Sequence, residues 1–133
     1  MIYLLDTDTC VFALWGSKPV VERLTTMDAN VAAISVITLA ELHYGAACSA
    51  QSSANHQIVD DFAGGLIVLG LNDQIARTFA AFKAYLRERG TLIDDLDLFI
   101  AATAHHYHLT LITHNLDHFC RLPELQVEDW VLS

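Results

Sequence analysis

Met1-Ile2-Tyr3-Leu4-Leu5-Asp6 opens the chain, and Thr7-Asp8-Thr9 follows it directly. The apolar run is continuous, with no polar residue on alternate positions. A strand covered on one face alternates, whereas one covered on both faces does not. Residues 1–6 therefore read as a short, buried strand of a parallel sheet. Three further stretches have the same character: 31–35 (Val-Ala-Ala-Ile-Ser), 66–69 (Leu-Ile-Val-Leu) and 109–113 (Leu-Thr-Leu-Ile-Thr). A terminal strand is expected near 126–131. The segments between them carry helix signals. A first short helix spans 8–15 and stops at Gly16-Ser17. Pro19 suits the first turn of a helix running to about Met27. Ser35 resembles an N-cap for a helix to about Ala47. Residues 52–62 form another helix, broken by Gly64-Gly65. Asn72 or Asp73 caps a long helix that stops at Gly90. Asp94 or Asp95 caps a helix through His106, and a short helix lies near 116–120. Strands alternating with helices predict one α/β domain over residues 1–133, a three-layer α/β/α sandwich with a mostly parallel central sheet.

Three carboxylates interrupt these apolar segments. Asp6 ends the first strand, Glu41 sits within Ile37-Thr38-Leu39-Ala40-Glu41-Leu42, and Asp97 precedes Leu98-Phe99-Ile100-Ala101-Ala102. A buried carboxylate is costly unless it is paired, hydrogen-bonded or bound to a metal. The chain holds only 7 Lys and Arg, and none is adjacent to these three acids. Helical neighbours of Glu41 are Ile37, Tyr44 and Cys48, a face that reads as apolar and inward. Asp97 shares its face with Ile100, Ala101 and Ala104. Ligands of parallel α/β sheets bind beyond the carboxyl ends of the strands. Asp6 lies at one such end, and Thr113 and Asn115 at another. The spacing predicts that Asp6, Glu41 and Asp97 converge on a divalent cation. An all-oxygen donor set suits Mg²⁺, with Mn²⁺ possible, better than Zn²⁺.

Composition narrows the function further. The length of 133 residues suits a single core. No apolar run approaches a membrane span, and the N-terminus lacks the basic region of a signal peptide, so a cytoplasmic protein without membrane contact is expected. Cys10, Cys48 and Cys120 have no CxxC spacing and read as small buried thiols rather than a disulfide framework. The seven His show no HExxH-like pattern. Net charge is −9, which excludes nucleic-acid binding through a general basic surface. Yet Arg77, Lys83, Arg87 and Arg89 crowd one segment, either as a solvated helix face or as a substrate-facing patch.

These motifs, in order and over nearly the whole chain, resemble the VapC toxins among the PIN-domain proteins. The carriers are Leu4-Leu5-Asp6-Thr7-Asp8, Ile37-Thr38-Leu39-Ala40-Glu41-Leu42-His43-Tyr44-Gly45, Asp95-Leu96-Asp97-Leu98-Phe99-Ile100-Ala101-Ala102-Thr103-Ala104, and Leu111-Ile112-Thr113-His114-Asn115-Leu116-Asp117-His118-Phe119. Arg121-Leu122-Pro123-Glu124-Leu125 and Glu128-Asp129-Trp130 also fit. The resemblance implies a Mg²⁺-dependent endoribonuclease whose metal positions match Asp6, Glu41 and Asp97. It also implies a small cognate antitoxin of the VapB kind, an RNA substrate and a homodimer, for which Val11, Phe12, Leu14 and Trp15 offer an apolar surface. A fourth family acid usually stands just before Phe119, where this chain has His118. That role passes to Asp95 beside Asp97, or to Asp117, or is met by Asn115. Thr7, Asp8 and Thr113 match polar positions that support the family site. Two other readings compete. Asp6-Thr7-Asp8-Thr9 superficially suits a phosphatase of the haloacid dehalogenase kind, but the later Lys of that family is missing and Glu41 stays unexplained. A domain that binds metal without catalysis is the other.

Overall fold

Residues 1–28 and 30–131 are described in a computed structural model of the protein. Five parallel strands form the sheet: β1 (Tyr3–Leu5), β2 (Ala32–Ser35), β3 (Ile67–Leu69), β4 (Thr110–Ile112) and β5 (Val127–Glu128), in the order β3-β2-β1-β4-β5. The helices are α1 (Thr7–Leu14), α2 (Lys18–Thr25), α3 (Val36–Ala47), α4 (Ser52–Gly64), α5 (Asp73–Glu88), α6 (Asp95–His106) and α7 (Leu116–Phe119). The expected alternation is therefore present, and the sheet is wholly rather than mostly parallel. The strands are shorter than expected, β1 covering 3–5 rather than 1–6 and β4 110–112 rather than 109–113, and the last departs most. It pairs over Val127 and Glu128 alone, because Asp129 turns its carboxylate onto the Val131 N–H (2.8 Å) and ends the extended run.

Successive strand residues face opposite layers. Leu4, Ala33 and Leu111 enter one core with Phe82 and Leu86 of α5 and Leu98 and Ala101 of α6. Leu5, Ile34 and Ile112 enter the other with Cys10, Val20, Leu42 and Val59 of α1–α4. Burial on both faces is what the unbroken apolar runs encode. Caps fix the helix starts. Asp6, Ser35, Asn72 and Asp94 each accept a backbone N–H of the helix that follows. Gly90, at φ +67°, ends α5 in the left-handed region that suits glycine. Among the described residues, no helix is long and apolar enough to cross a membrane.

From β1 the chain moves outward through β2 and β3, then returns to place β4 on the other side of β1. The carboxyl ends of β1 and β4 thus flank the point where strand order reverses, the position at which such sheets open a crevice. Leu5 is level with Ile112, and the Asp6 N–H donates to the Ile112 carbonyl at 3.0 Å, so Asp6 and Thr113 emerge side by side.

Candidate active site

Asp6 is both a helix cap and a site residue. Its Oδ1 accepts the Thr9 N–H at 2.8 Å, and the Thr113 hydroxyl bonds the same carboxylate. Burial pushes its pKa above the ordinary carboxylate value despite these bonds, and Asp8 adds to the rise. Asp6 is only 3% exposed. Thr9 is tied in turn, its hydroxyl donating to the Ile112 carbonyl at 3.1 Å. Two strands and the start of α1 therefore hold one carboxylate.

Glu41 reaches the same place from α3, which packs against both α1 and α6. The Thr7 hydroxyl donates to Glu41 Oε1 at 2.6 Å, with Thr38 Oγ1 at 3.1 Å from Thr7. Thr7 is the first residue of α1, so the residue after Asp6 anchors the second acid. The face of α3 carrying Glu41 is apolar but more open than its composition suggests, since Tyr44 and Cys48 are exposed. Beside it α1, α3 and α4 line an open cavity of about 290 Å³ whose walls include Thr7, Glu41, Val11, Trp15 and Ile58.

Asp97 stands in the first turn of α6, whose inner face of Ile100, Ala101 and Ala104 is buried. Its pKa is raised to about 6, by burial first and then by the negative charges of Asp94, Asp6, Glu41 and Asp8. The three expected acids do share one electrostatic neighbourhood, joined by Asp8 and Asp94. Asp94 is the residue the sequence reading treated only as a cap. Its spacing of three from Asp97 is the signal that it shares that helical face.

Asp95 lies elsewhere. Residues two apart on a helix point roughly 200° from each other, and the Asp95 carboxylate is held by Lys83 Nζ at 2.9 Å. It is not among the charges that raise Asp97, and neither is Asp117, which is exposed on α7. Asn115 donates its backbone N–H to Thr113 Oγ1 at 2.9 Å, and its side-chain amide lies 2.7 Å from His118 Nδ1. His114 donates to Asp129 at 2.9 Å. Three further cations pair with other acids: Lys18 with Glu22, Arg23 with Glu128, Arg77 with Asp73. As the side chains stand, no three His, Cys, Asp or Glu among the described residues close on a single ion. Asp6 accepts from Thr9 and Glu41 from Thr7. The donor set still fits a hard cation: carboxylate oxygens whose negative charges bear on one another at Asp97. Of the thiols, only Cys10 is buried; Cys48 and Cys120 are exposed, because they fall at the end of α3 and just after α7.

The sequence pattern of the PIN domain matches residues 3–125. A relative from Salmonella typhimurium, named tRNA(fMet)-specific endonuclease VapC, is 34% identical over 128 residues, covering 96% of this chain and 97% of the relative. Ribonuclease VapC2 of Haemophilus influenzae is 34% identical over 129 residues, covering 97% and 98%. Among solved structures, the DNA-bound VapBC from Salmonella typhimurium aligns with a TM-score of 0.92 at 34% identity, over 98% of each chain. VapBC2 from Rickettsia felis, bound to a DNA fragment from their promoter, aligns at 0.91 and 32% identity, over 98% and 99%.

Proposed function

The chain belongs to the PIN domain family, and we propose that within it this protein is a divalent-metal-dependent endoribonuclease, the toxin of a toxin–antitoxin pair. The observation that supports the reading is that the charges of Asp6 and Glu41 both bear on Asp97, while the lysine and arginine ion pairs of the described residues lead to Glu22, Glu128, Asp73 and Asp95 instead. The names of the full-length relatives support the ribonuclease activity and the pairing with a VapB-like antitoxin.

Asp6, Glu41 and Asp97 would hold Mg²⁺, or Mn²⁺ in its place. The cation, when bound, neutralises phosphate oxygens and makes a water more acidic. The chain's own residues do the rest. Thr113 and the Thr9 N–H fix Asp6; Thr7 fixes Glu41. Asp97 would orient the attacking water and receive its proton. The water oxygen bonds to phosphorus, the P–O bond to the departing ribose breaks, and that oxygen leaves with a proton from solvent. Asp8 and Asp94 add negative potential that draws the cation in. Asp95 holds Lys83 rather than the metal, so the fourth-acid role falls to Asp8 or Asp94, ahead of Asp117 and Asn115. The RNA substrate to try first is tRNA, the substrate in one relative's name.

The antitoxin is assigned to the apolar cavity beside Glu41, since a segment filling it past Trp15 and Val11 would end against the site. A homodimer completes the proposal, checked by sedimentation of the purified toxin. The central test is cleavage of tRNA by purified protein in Mg²⁺, its loss in EDTA, and growth arrest relieved by the antitoxin. Intact RNA in Mg²⁺ would overturn the reading.

Two further results are expected. Thr7→Val keeps the volume of the side chain and removes the hydroxyl that holds Glu41. Loss of such a supporting bond lowers activity roughly 10–100-fold, while the melting temperature stays within a few degrees. Equal activity would exclude a positioning role for Thr7. Mg²⁺ should also raise the melting temperature at pH 7.5 and lose most of that effect at pH 5. Asp97, raised to about 6, is protonated at the lower pH and competes with the cation. A shift independent of pH would remove Asp97 from the ligand set.

A further inference from the structure

The chain carries net charge −9, yet its few cations are unevenly placed. α5 and α6 pack side by side as a hairpin joined at residues 89–94, so the C-terminal end of α5 lies beside the first turn of α6, where Asp97 stands. Lys83 proves this alignment by its contact with Asp95 at 2.9 Å. Arg87, one turn on from Lys83, shares its face of α5 and is exposed. Arg89 lies flat over the Tyr85 ring at 3.5 Å and donates to the Tyr85 carbonyl at 3.1 Å. From the segment after α7, Arg121 reaches the same tip and donates to the Thr91 carbonyl at 3.3 Å. Four of the seven cations thus gather about the α5–α6 turn, whose last residue, Asp94, is one of the charges that bear on Asp97. Arg77 is at the opposite end of α5, paired with Asp73.

We propose that this rim of Lys83, Arg87, Arg89 and Arg121 is the track on which RNA phosphates lie as the strand leaves the site. The inference rests on the ribonuclease reading and adds the surface that holds the substrate. An acidic site repels a polyanion, so a substrate strand needs compensating charge alongside it. Guanidinium groups suit phosphate oxygens by their forked geometry, and the ordered placement of Arg89 and Arg121 reduces the entropy lost on binding. Asp95 then acts as a placeholder, occupying Lys83 until a phosphate displaces it.

The test uses binding of tRNA to the cleavage-dead Glu41→Gln protein across 50 to 200 mM salt. Each phosphate contact to a single strand contributes a slope of about −0.7 in log affinity against log salt. Replacing Lys83, Arg87, Arg89 and Arg121 by Ser should therefore reduce the slope by nearly 3, so that wild-type surface loses affinity roughly fiftyfold more than the variant over that range. Lys83→Ser with Arg87→Ser alone should remove about half of that slope, which keeps the test available if the fourfold variant fails to fold. Arg77→Ser should leave the slope unchanged, and Asp95→Asn should tighten binding severalfold by freeing Lys83. An unchanged slope in the rim variants, or an equal change in Arg77→Ser, overturns the track. So does loss of antitoxin affinity with RNA binding intact, which would make the rim a protein contact. Cleavage by the native protein is measured in parallel: cleavage with an unchanged slope sinks the track and leaves the ribonuclease reading standing, whereas no binding and no cleavage sinks both.

Discussion

Asp97→Asn is expected to abolish RNA cleavage and, at the same time, to make the metal-free protein more stable. The loss of activity should be at least about 10³-fold, since removing a ligand forfeits several kcal/mol of charge stabilisation in the transition state. The gain in stability follows from Asp97 having its pKa raised to about 6, against an ordinary value of 3.8. A carboxyl group whose folded pKa is raised binds more protons folded than unfolded between those two values, so stability falls as pH rises through that window. Above about pH 6 the penalty is complete; below about pH 4 it vanishes. The full shift would correspond to about 3 kcal/mol, but Asp97 is only half-buried and solvent screening reduces this to about 1–2 kcal/mol. Asparagine keeps the shape and removes the charge that Asp94, Asp6, Glu41 and Asp8 oppose. The melting temperature in EDTA should rise by several degrees at pH 7 and not at pH 4. Glu41→Gln should be equally inactive, with the Thr7 hydroxyl still able to donate to the amide oxygen. Wild-type cleavage in either variant would remove the residue from the site. An Asp97→Asn protein less stable than the parent at pH 7 would mean that the cluster is not electrostatically frustrated.

Trp130→Ala is expected to have the largest effect on the fold itself. Trp130 is fully buried near the end of the described chain, edge-on to Tyr3 with ring centroids 5.2 Å apart and its Nε1–H donating to Glu128 at 3.0 Å. Arg23 lies over the ring at 5.6 Å and bonds the same Glu128 carboxylate. The residue thus fastens β5 to β1 and α2. Truncating a buried Trp costs about 3–5 kcal/mol through lost burial and the cavity left behind, a large share of the 5–15 kcal/mol typical of a domain. The melting temperature should fall by about 10 °C or more. Loss of Trp130 should weaken the site as well, because β5 pairs with β4 and the Thr113 N–H donates to the Glu128 carbonyl at 2.9 Å, and Thr113 is the residue bonded to Asp6. A fall of less than about 1 kcal/mol in chemical denaturation would mean that the tail is not part of the cooperative unit.

The two expected results depend on different kinds of information, and the contrast runs through the molecule. Local chemistry was readable directly. Continuous apolar runs specified strands covered on both faces, as Leu4 and Leu5 entering opposite cores illustrate. Ser35, Asn72 and Asp94 announced helix starts because an N-cap acts within three residues of itself. Three carboxylates in apolar segments, with so few cations, called for a common partner, and the family motifs lay in order along the chain. What depended on direction in space was not readable. Asp95 and Asp97 are near-equivalents in sequence, yet the turn of the helix sends one to Lys83 and the other into the acid cluster. Asp94 served as a cap and a charge at once. The face around Glu41 looked inward-packing by composition, but Tyr44 and Cys48 are exposed, and how a helix face is covered depends on which distant segments pack on it. Sequence by itself determined the elements, their order and the acids proposed to share a site, since each follows from the side chains and near neighbours of one segment. Only the tertiary structure decided that Asp95 pairs with Lys83 while Asp94 bears on Asp97, and where the cations gathered, because those follow from helix azimuth and from contacts between segments far apart in the chain.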